Sequence, residues 1–406
     1  MSDSVGLVLS GGGARGAYEV GILQGIVEVL DRGESDDSPF DIVSGTSVGA
    51  INAVWVGAWG HRGDVNIRGL RQRWDDLRLE THLNFDLQGA ASILGGERIR
   101  RLLTESLHSE HVSFLKADPF EHLVEHEIPW SQLHRNVSSG VMEAVAVAAL
   151  EVSSGKTIVF GELGEGIELE RVEDPRRQFR PTSVHSDHVL ASAAIPLIFP
   201  AREIDLELYC DGGLRLNTPI PPAIRAGADR LVVVSVGEVG EFSAGEGEWA
   251  RAARRANFPN PIFLAGKALN ALLVDPVYQE VQLTNRINRM VKAMEDVLDD
   301  EQMAEVERAV TEERGAPYRH VPTLSFRPSE NVSELARDYL QTVEPRRFAT
   351  RRLVDFAGSG STVERDLLSF ILFDGDFAEE LILLGRRDAL ARGEEIRAFF
   401  EGEDDE

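Results

Sequence analysis

Short apolar runs of strand length alternate with segments of helical period along the first part of the chain. Val5-Gly6-Leu7-Val8-Leu9 is one such run, and Ala17 to Leu30 follows with Val20, Leu23, Val27 and Leu30 on one helical stripe. The polar loop Asp31 to Pro39 leads into a second buried run, Phe40 to Ser44, and then into the apolar helical sequence Ala50 to Val56. Glu143 to Leu150 and Thr157 to Phe160 read as strands of a hairpin turning at Ser153-Ser154-Gly155. Leu206 to Cys210 is strand-like, and Leu231 to Val236 is the β-branched run of a buried parallel strand. Thr323 to Phe326 predicts a last strand, while Asn66 to Leu79, Gly96 to Leu107 and the charged stretch Val277 to Arg314 predict helices. After Ser329 the strands stop: Val332 to Tyr339, Arg347 to Phe356, Glu364 to Phe373 and Phe377 to Leu390 are successive amphipathic segments. The alternation predicts a three-layer α/β/α domain over 1–330 with a mostly parallel central sheet. A helical C-terminal extension follows over 331–400, and an acidic, solvated tail over 401–406.

Charge narrows the choice of partners. Among 406 residues, 42 basic side chains face 68 acidic ones, a formal charge of −26. A field of that sign repels nucleic acid. No stretch of about 18 apolar residues offers a membrane span. The start of the chain, Met1 to Ser4, carries neither a basic region nor an apolar signal core, so cytoplasmic residence is expected. A single cysteine, Cys210, excludes an internal disulfide and reads as core packing. Asp374-Gly375-Asp376 is a turn; it lacks the spaced carboxylates of a calcium loop, and no metal site is expected.

The candidate chemistry lies at three turns. Gly45-Thr46-Ser47-Val48-Gly49 has the Gly-x-Ser-x-Gly spacing of a nucleophile elbow, with a strand before it and a helix after it. Gly45 and Gly49 remove the Cβ clashes of so sharp a corner, and the helix N-terminus beneath Ser47 favours developing negative charge. The first strand ends in Ser10-Gly11-Gly12-Gly13-Ala14-Arg15-Gly16. Its Gly11-x-Gly13-x-x-Gly16 spacing matches a dinucleotide fingerprint, which supports a rival reading as a nucleotide-binding regulator. That reading wants an acidic residue closing the second strand, but Asp36 and Asp37 precede that strand, which ends in Ser44-Gly45-Thr46-Ser47. As an oxyanion hole the turn fits better, since glycine N–H groups reach a site unobstructed; one such donor lowers an acyl-transfer barrier by about 3–4 kcal/mol. The third turn, Asp211-Gly212-Gly213, follows the strand ending at Cys210. A serine needs a base. His320 has no glycine-rich loop to place it, and His185 and His188 read as a solvated helix start, so a Ser47–Asp211 pair is the more economical device.

Taken together and in this order, the three turns resemble the patatin-like phospholipase family. Ala191-Ser192-Ala193-Ala194-Ile195-Pro196, Phe199-Pro200 and Asn217-Thr218-Pro219 add to the resemblance, which runs over about residues 5 to 330. It implies a patatin-like α/β fold and a Ser–Asp dyad, Ser47 as nucleophile and Asp211 as base. The oxyanion hole would come from Gly11, Gly12, Gly13, Arg15 and Gly16, with Arg15 in the motif's basic position. The implied activity is cleavage of carboxylic esters of phospholipids or related lipids through an acyl-enzyme, with no cofactor. Gly213 stands where the family's aspartate motif often has alanine. A lipid-binding relative without catalysis is the other alternative, disfavoured by the intact Ser47 and Asp211.

A lipid substrate raises the question of how an acidic chain meets a membrane. Arg251, Arg254 and Arg255 beside Phe258, Ile262, Phe263 and Leu264 form the clearest basic-plus-apolar stretch, a candidate peripheral docking or lid segment. An ordinary loop followed by a core-facing helix is the simpler reading of it, and self-association is left open.

Overall fold

All five residues of the run Val5–Leu9 are buried, as a strand covered on both faces must be. They form β1 of the computed structural model, which describes residues 3–78, 84–85, 115–116, 118–169, 174–196, 199–237, 275–342 and 369–402. The chain continues through α1 (Ala17–Val29), β2 (Ile42–Thr46), α2 (Val48–Ala58) and α3 (Ile67–Asp75). A two-stranded ribbon, β3 (Asn84–Phe85) and β4 (Leu115–Lys116), precedes α4 (Asp118–Glu127) and α5 (Trp130–Ser138). Then come β5 (Ala144–Glu151), β6 (Thr157–Leu163), β7 (Arg177–Pro181), α6 (Ser186–Ser192), β8 (Arg202–Ile204) and β9 (Glu207–Asp211). The order closes with α7 (Ile220–Arg225), β10 (Arg230–Val234), α8 (Asp275–Val297), α9 (Asp300–Arg314), β11 (Thr323–Phe326), α10 (Val332–Thr342), α11 (Gly375–Leu390) and α12 (Gly393–Glu401).

Among the described residues nine strands make one sheet, ordered β11-β10-β1-β2-β5-β6-β7, with β9 paired to β5 and β8 to β9. The first five of that order are parallel, whereas β6 and β9 run antiparallel to β5. Side chains alternate between two cores. Leu7, Leu9, Val43, Val232 and Val234 join α1, α2 and α11 on one face, while Val8, Ile42, Leu231 and Val233 join α7 on the other. The result is a mostly parallel sheet between helical layers. The carboxyl ends of β1 and β2 lie side by side, and open α/β sheets bind their ligands at such ends.

The C-terminal helices share this core. Helix α11 lies against α1 at glycines: a Cβ on Gly21 would stand 2.1 Å from the Ile382 carbonyl oxygen, and one on Gly385 would stand 2.3 Å from that of Tyr18. The Tyr18 hydroxyl donates to Asp388 at 3.0 Å, and Arg386 pairs with Glu28 at 2.8 Å.

Several sequence expectations shift. The strand expected from Leu206 starts at Glu207, because Asp205 and Leu206 form the turn of the β8–β9 hairpin at φ 52 and 68. Leu206 is 91% exposed there. The partly exposed strand β7 carries no apolar alternation, and the sequence pattern does not predict it. Gly96 to Leu107, Arg251 to Leu273 and Arg347 to Phe356 lie outside the described residues, as does Glu364 to Phe373 up to residue 368.

Candidate active site

At the corner between β2 and α2, Ser47 sits at φ 56 and ψ −128, a conformation L residues avoid and surrounding structure must impose. The corner depends on its glycines: a Cβ on Gly45 would stand 2.3 Å from the Gly49 carbonyl oxygen, and one on Gly49 would stand 2.4 Å from that of Leu9. Three backbone segments therefore meet where no side chain fits.

Asp211, the last residue of β9, reaches the same corner because β9 pairs antiparallel with β5, next to β2 in the sheet. Ser47 Oγ donates to Asp211 Oδ2 at 2.6 Å, and the Gly213 N–H donates to Oδ1 at 2.7 Å. Both residues are buried, Ser47 4% exposed and Asp211 fully enclosed. Burial disfavours the carboxylate and raises Asp211 from its ordinary 3.8 to about 7, against the opposing pull of the Ser47 and Gly213 hydrogen bonds. An acid poised near neutrality, 2.6 Å from a hydroxyl, is matched to taking a proton from it. Gly212 permits the approach, since a Cβ there would stand 2.2 Å from the Ala148 carbonyl oxygen.

The glycine turn lies over the same spot. A Cβ on Gly11 would stand 3.1 Å from Ser47 Cβ and 2.3 Å from Asn217 Oδ1. Gly11 and Asn217 hold each other: the Gly11 N–H donates to the Asn217 carbonyl at 3.0 Å, and Asn217 Nδ2 donates to the Gly11 carbonyl at 3.1 Å. The Gly11 N–H is thereby committed. Those of Gly12 and Gly13 meet no acceptor among the described residues, and Gly13 has the positive φ of 56 that favours glycine. Gly16 packs on the elbow helix, where a Cβ would stand 2.7 Å from Val48. Arg15 is 1% exposed, and its described bonds run to the C-terminal helices and β10's end. Nε and Nη2 donate to Ser369 Oγ at 2.8 and 2.6 Å, Nη2 to Ser333 Oγ at 3.0 Å, and Nη1 to the Val236 carbonyl at 3.4 Å. The guanidinium also lies 4.3 Å from the Phe370 ring centroid.

The histidines go elsewhere. His185 caps α6, its N–H donating to His188 Nδ1 at 3.0 Å, and neither hydrogen-bonds Ser47 or Asp211 among the described residues. The expected solvated helix start is half right, because His188 is buried against Phe160, and burial lowers its pKa to about 4. Cys210 is buried, and burial raises its thiol to about 11, which fits packing.

The roles of two polar groups behind the turns were not read from the sequence. Asn52 Nδ2 donates to the Gly16 carbonyl at 3.1 Å and to Glu19 Oε2 at 2.8 Å, while Asn52 Oδ1 accepts Trp74 Nε1 at 3.2 Å. Burial holds Glu19 well above the usual carboxylate range. The other is Ser192, whose hydroxyl accepts the Ser47 N–H at 2.8 Å. The signal for each was a polar residue inside an apolar or alanine-rich run.

A family model described as Patatin, patatin-like phospholipase, matches residues 7–224. Among curated proteins, a cGAMP-activated phospholipase of Pseudomonas aeruginosa (strain BWHPSA011 / Pa011) is 28% identical over 215 residues, covering 52% of this chain and 53% of that protein. The chain thus spans about half the length of that relative. Among solved structures, VipD from Legionella pneumophila aligns over 94% of this chain and 67% of that one, at 13% identity and a TM-score of 0.30.

Proposed function

The chain belongs to the patatin-like phospholipase family, and from that footing we propose that it is a serine lipid acyl hydrolase acting through a Ser47–Asp211 dyad. The observation that carries the reading is the 2.6 Å hydrogen bond from Ser47 Oγ to Asp211 Oδ2 at a strained strand-to-helix corner. Ionised Asp211 takes the Ser47 proton as Oγ forms a bond to the acyl carbon. The carbonyl π electrons move onto oxygen, and the oxyanion is met by the N–H groups of Gly12 and Gly13. Collapse restores the carbonyl, breaks the ester C–O bond and expels the alcohol, which takes the proton from Asp211. Water, deprotonated by the same carboxylate, then attacks the Ser47 acyl ester, and collapse releases the fatty acid with Ser47 reprotonated.

Carboxylic esters of phospholipids or related lipids are the substrate class the family supports. Kinetics on a panel of acyl esters tests the reading. Ser47→Ala and Asp211→Asn are each expected to lower kcat by about 10³-fold or more, and the double variant is expected to be little worse than either. Near-normal turnover in Asp211→Asn would reject the base. Activation by cGAMP is stated of the Pseudomonas relative, so the panel is run with and without that nucleotide; stimulation would extend its regulation to this chain.

A further inference from the structure

The segment Ala191-Ser192-Ala193-Ala194 takes no part in the chemistry above, yet it holds the backbone N–H of both residues that do. Ser192, the last residue of α6, accepts the Ser47 N–H on its Oγ at 2.8 Å. The same hydroxyl donates to the Ala148 carbonyl of β5 at 2.6 Å. Two residues on, the Ala194 carbonyl accepts the Asp211 N–H at 2.9 Å. Strand β5 completes the frame, since Ala148 stands in register with Thr46 and Ala149 with Asp211. Ser192 is fully buried at the centre of it.

A serine inside a helix ordinarily turns its hydroxyl back to a carbonyl one turn earlier or out to water. Ser192 does neither. Its hydroxyl joins a carbonyl 44 residues away to an amide 145 residues away. The amide it holds belongs to the residue at φ 56 and ψ −128, which relaxes unless its surroundings over-determine it. The bond also commits the Ser47 N–H, leaving the oxyanion to other donors.

We propose that Ser192 is a positioning residue for ester hydrolysis, clamping the Ser47 amide to β5 so that Ser47 Oγ stays aligned on Asp211. The inference rests on the hydrolase reading above. Without the hydroxyl, the Ser47 N–H and the Ala148 carbonyl lose their partner in a dry interior, and the elbow relaxes. A misplacement of about 1 Å costs on the order of 10²-fold in rate. Lipid binding, which does not involve Ser192, changes little, so the loss falls on kcat.

The test uses the full chain, a soluble ester and a fluorophosphonate that labels the nucleophile. Ser192→Ala is expected to lower kcat roughly 10- to 100-fold with a much smaller change in KM. The labelling rate constant is expected to fall in parallel while every molecule still labels to completion. Ser192→Thr, which keeps the hydroxyl, is expected to recover most of the rate. A role in folding alone predicts instead a reduced fraction of molecules that label, each at the normal rate, and that result would overturn the proposal. So would wild-type kcat and labelling in Ser192→Ala. Should the alanine variant not fold, Ser192→Cys decides: its weak hydrogen bonding predicts a kcat between wild type and a tenfold or greater loss, and an unchanged kcat rejects the clamp. Wild-type protein that does not label at Ser47 sinks the hydrolase reading itself, an outcome distinct from the others.

Discussion

The carboxyl of Asp211 carries two opposing demands, and both depend on pH. As the base of the proposed dyad it must be ionised, so kcat/KM is expected to rise with unit slope and level off above a midpoint near the folded-state value of about 7. A profile flat from pH 5 to 9 would remove Asp211 from that role. Stability runs the other way. The unfolded chain releases this proton near 3.8 and the folded one near 7, so the folded state binds more protons between those values. The contribution is fully present below 3.8 and is lost as pH rises through 7. Asp211→Asn, which keeps the shape, is therefore expected to lower activity by about 10³- to 10⁴-fold. Thermal melts at about pH 8 are expected to show it at least as stable as wild type. A strongly destabilised Asp211→Asn would mean that the charged form holds the corner together.

At the scale of elements, α1 and α11 approach through Gly21 and Gly385, each facing a backbone carbonyl within 2.3 Å of where a Cβ would stand. Gly385→Ala is expected to destabilise the protein by about 1–3 kcal/mol in denaturant unfolding, overpacking outweighing alanine's helix propensity of about 1 kcal/mol. A neutral or stabilising result would show that the helices part without cost. The same elements mark how far the sequence could be read. β1 and β10 were legible because strands buried on both faces are apolar throughout, and β11 because its buried Leu324 and Phe326 alternate with half-buried Thr323 and Ser325. Ser47 was legible because its glycines are local. Strand β7 was not, because Phe179 is its one large apolar residue and no period follows from it, and Leu206 turns at positive φ without the glycine or asparagine that announces such a turn. Ser192 showed in a motif of the resemblance but with no role, since its partners lie on β5 and at the elbow, far off in sequence.

For the whole molecule, the extension after 330 covers α1 and supplies Ser333 and Ser369 to Arg15, which stands within the glycine turn. A chain ending at residue 330 is therefore expected to lose its cooperative unfolding transition and its esterase activity together. An active, folded fragment would make the extension an independent unit. No helix among the described residues is long and apolar enough to cross a membrane. The charge of −26 opposes anionic surfaces, so hydrolysis of zwitterionic vesicles is expected to exceed that of anionic ones at low salt. That gap is expected to narrow as salt rises toward about 1 M and the screening length falls to about 3 Å; an anionic preference would point to a local basic face. The whole proposed reaction turns on one atom, Ser47 Oγ. Peptide mapping by mass spectrometry, after reaction with a lipid-like fluorophosphonate, tests it most directly. A single adduct on Ser47 that disappears in Ser47→Ala is expected, and an adduct on another serine, or none, would rule Ser47 out as the nucleophile.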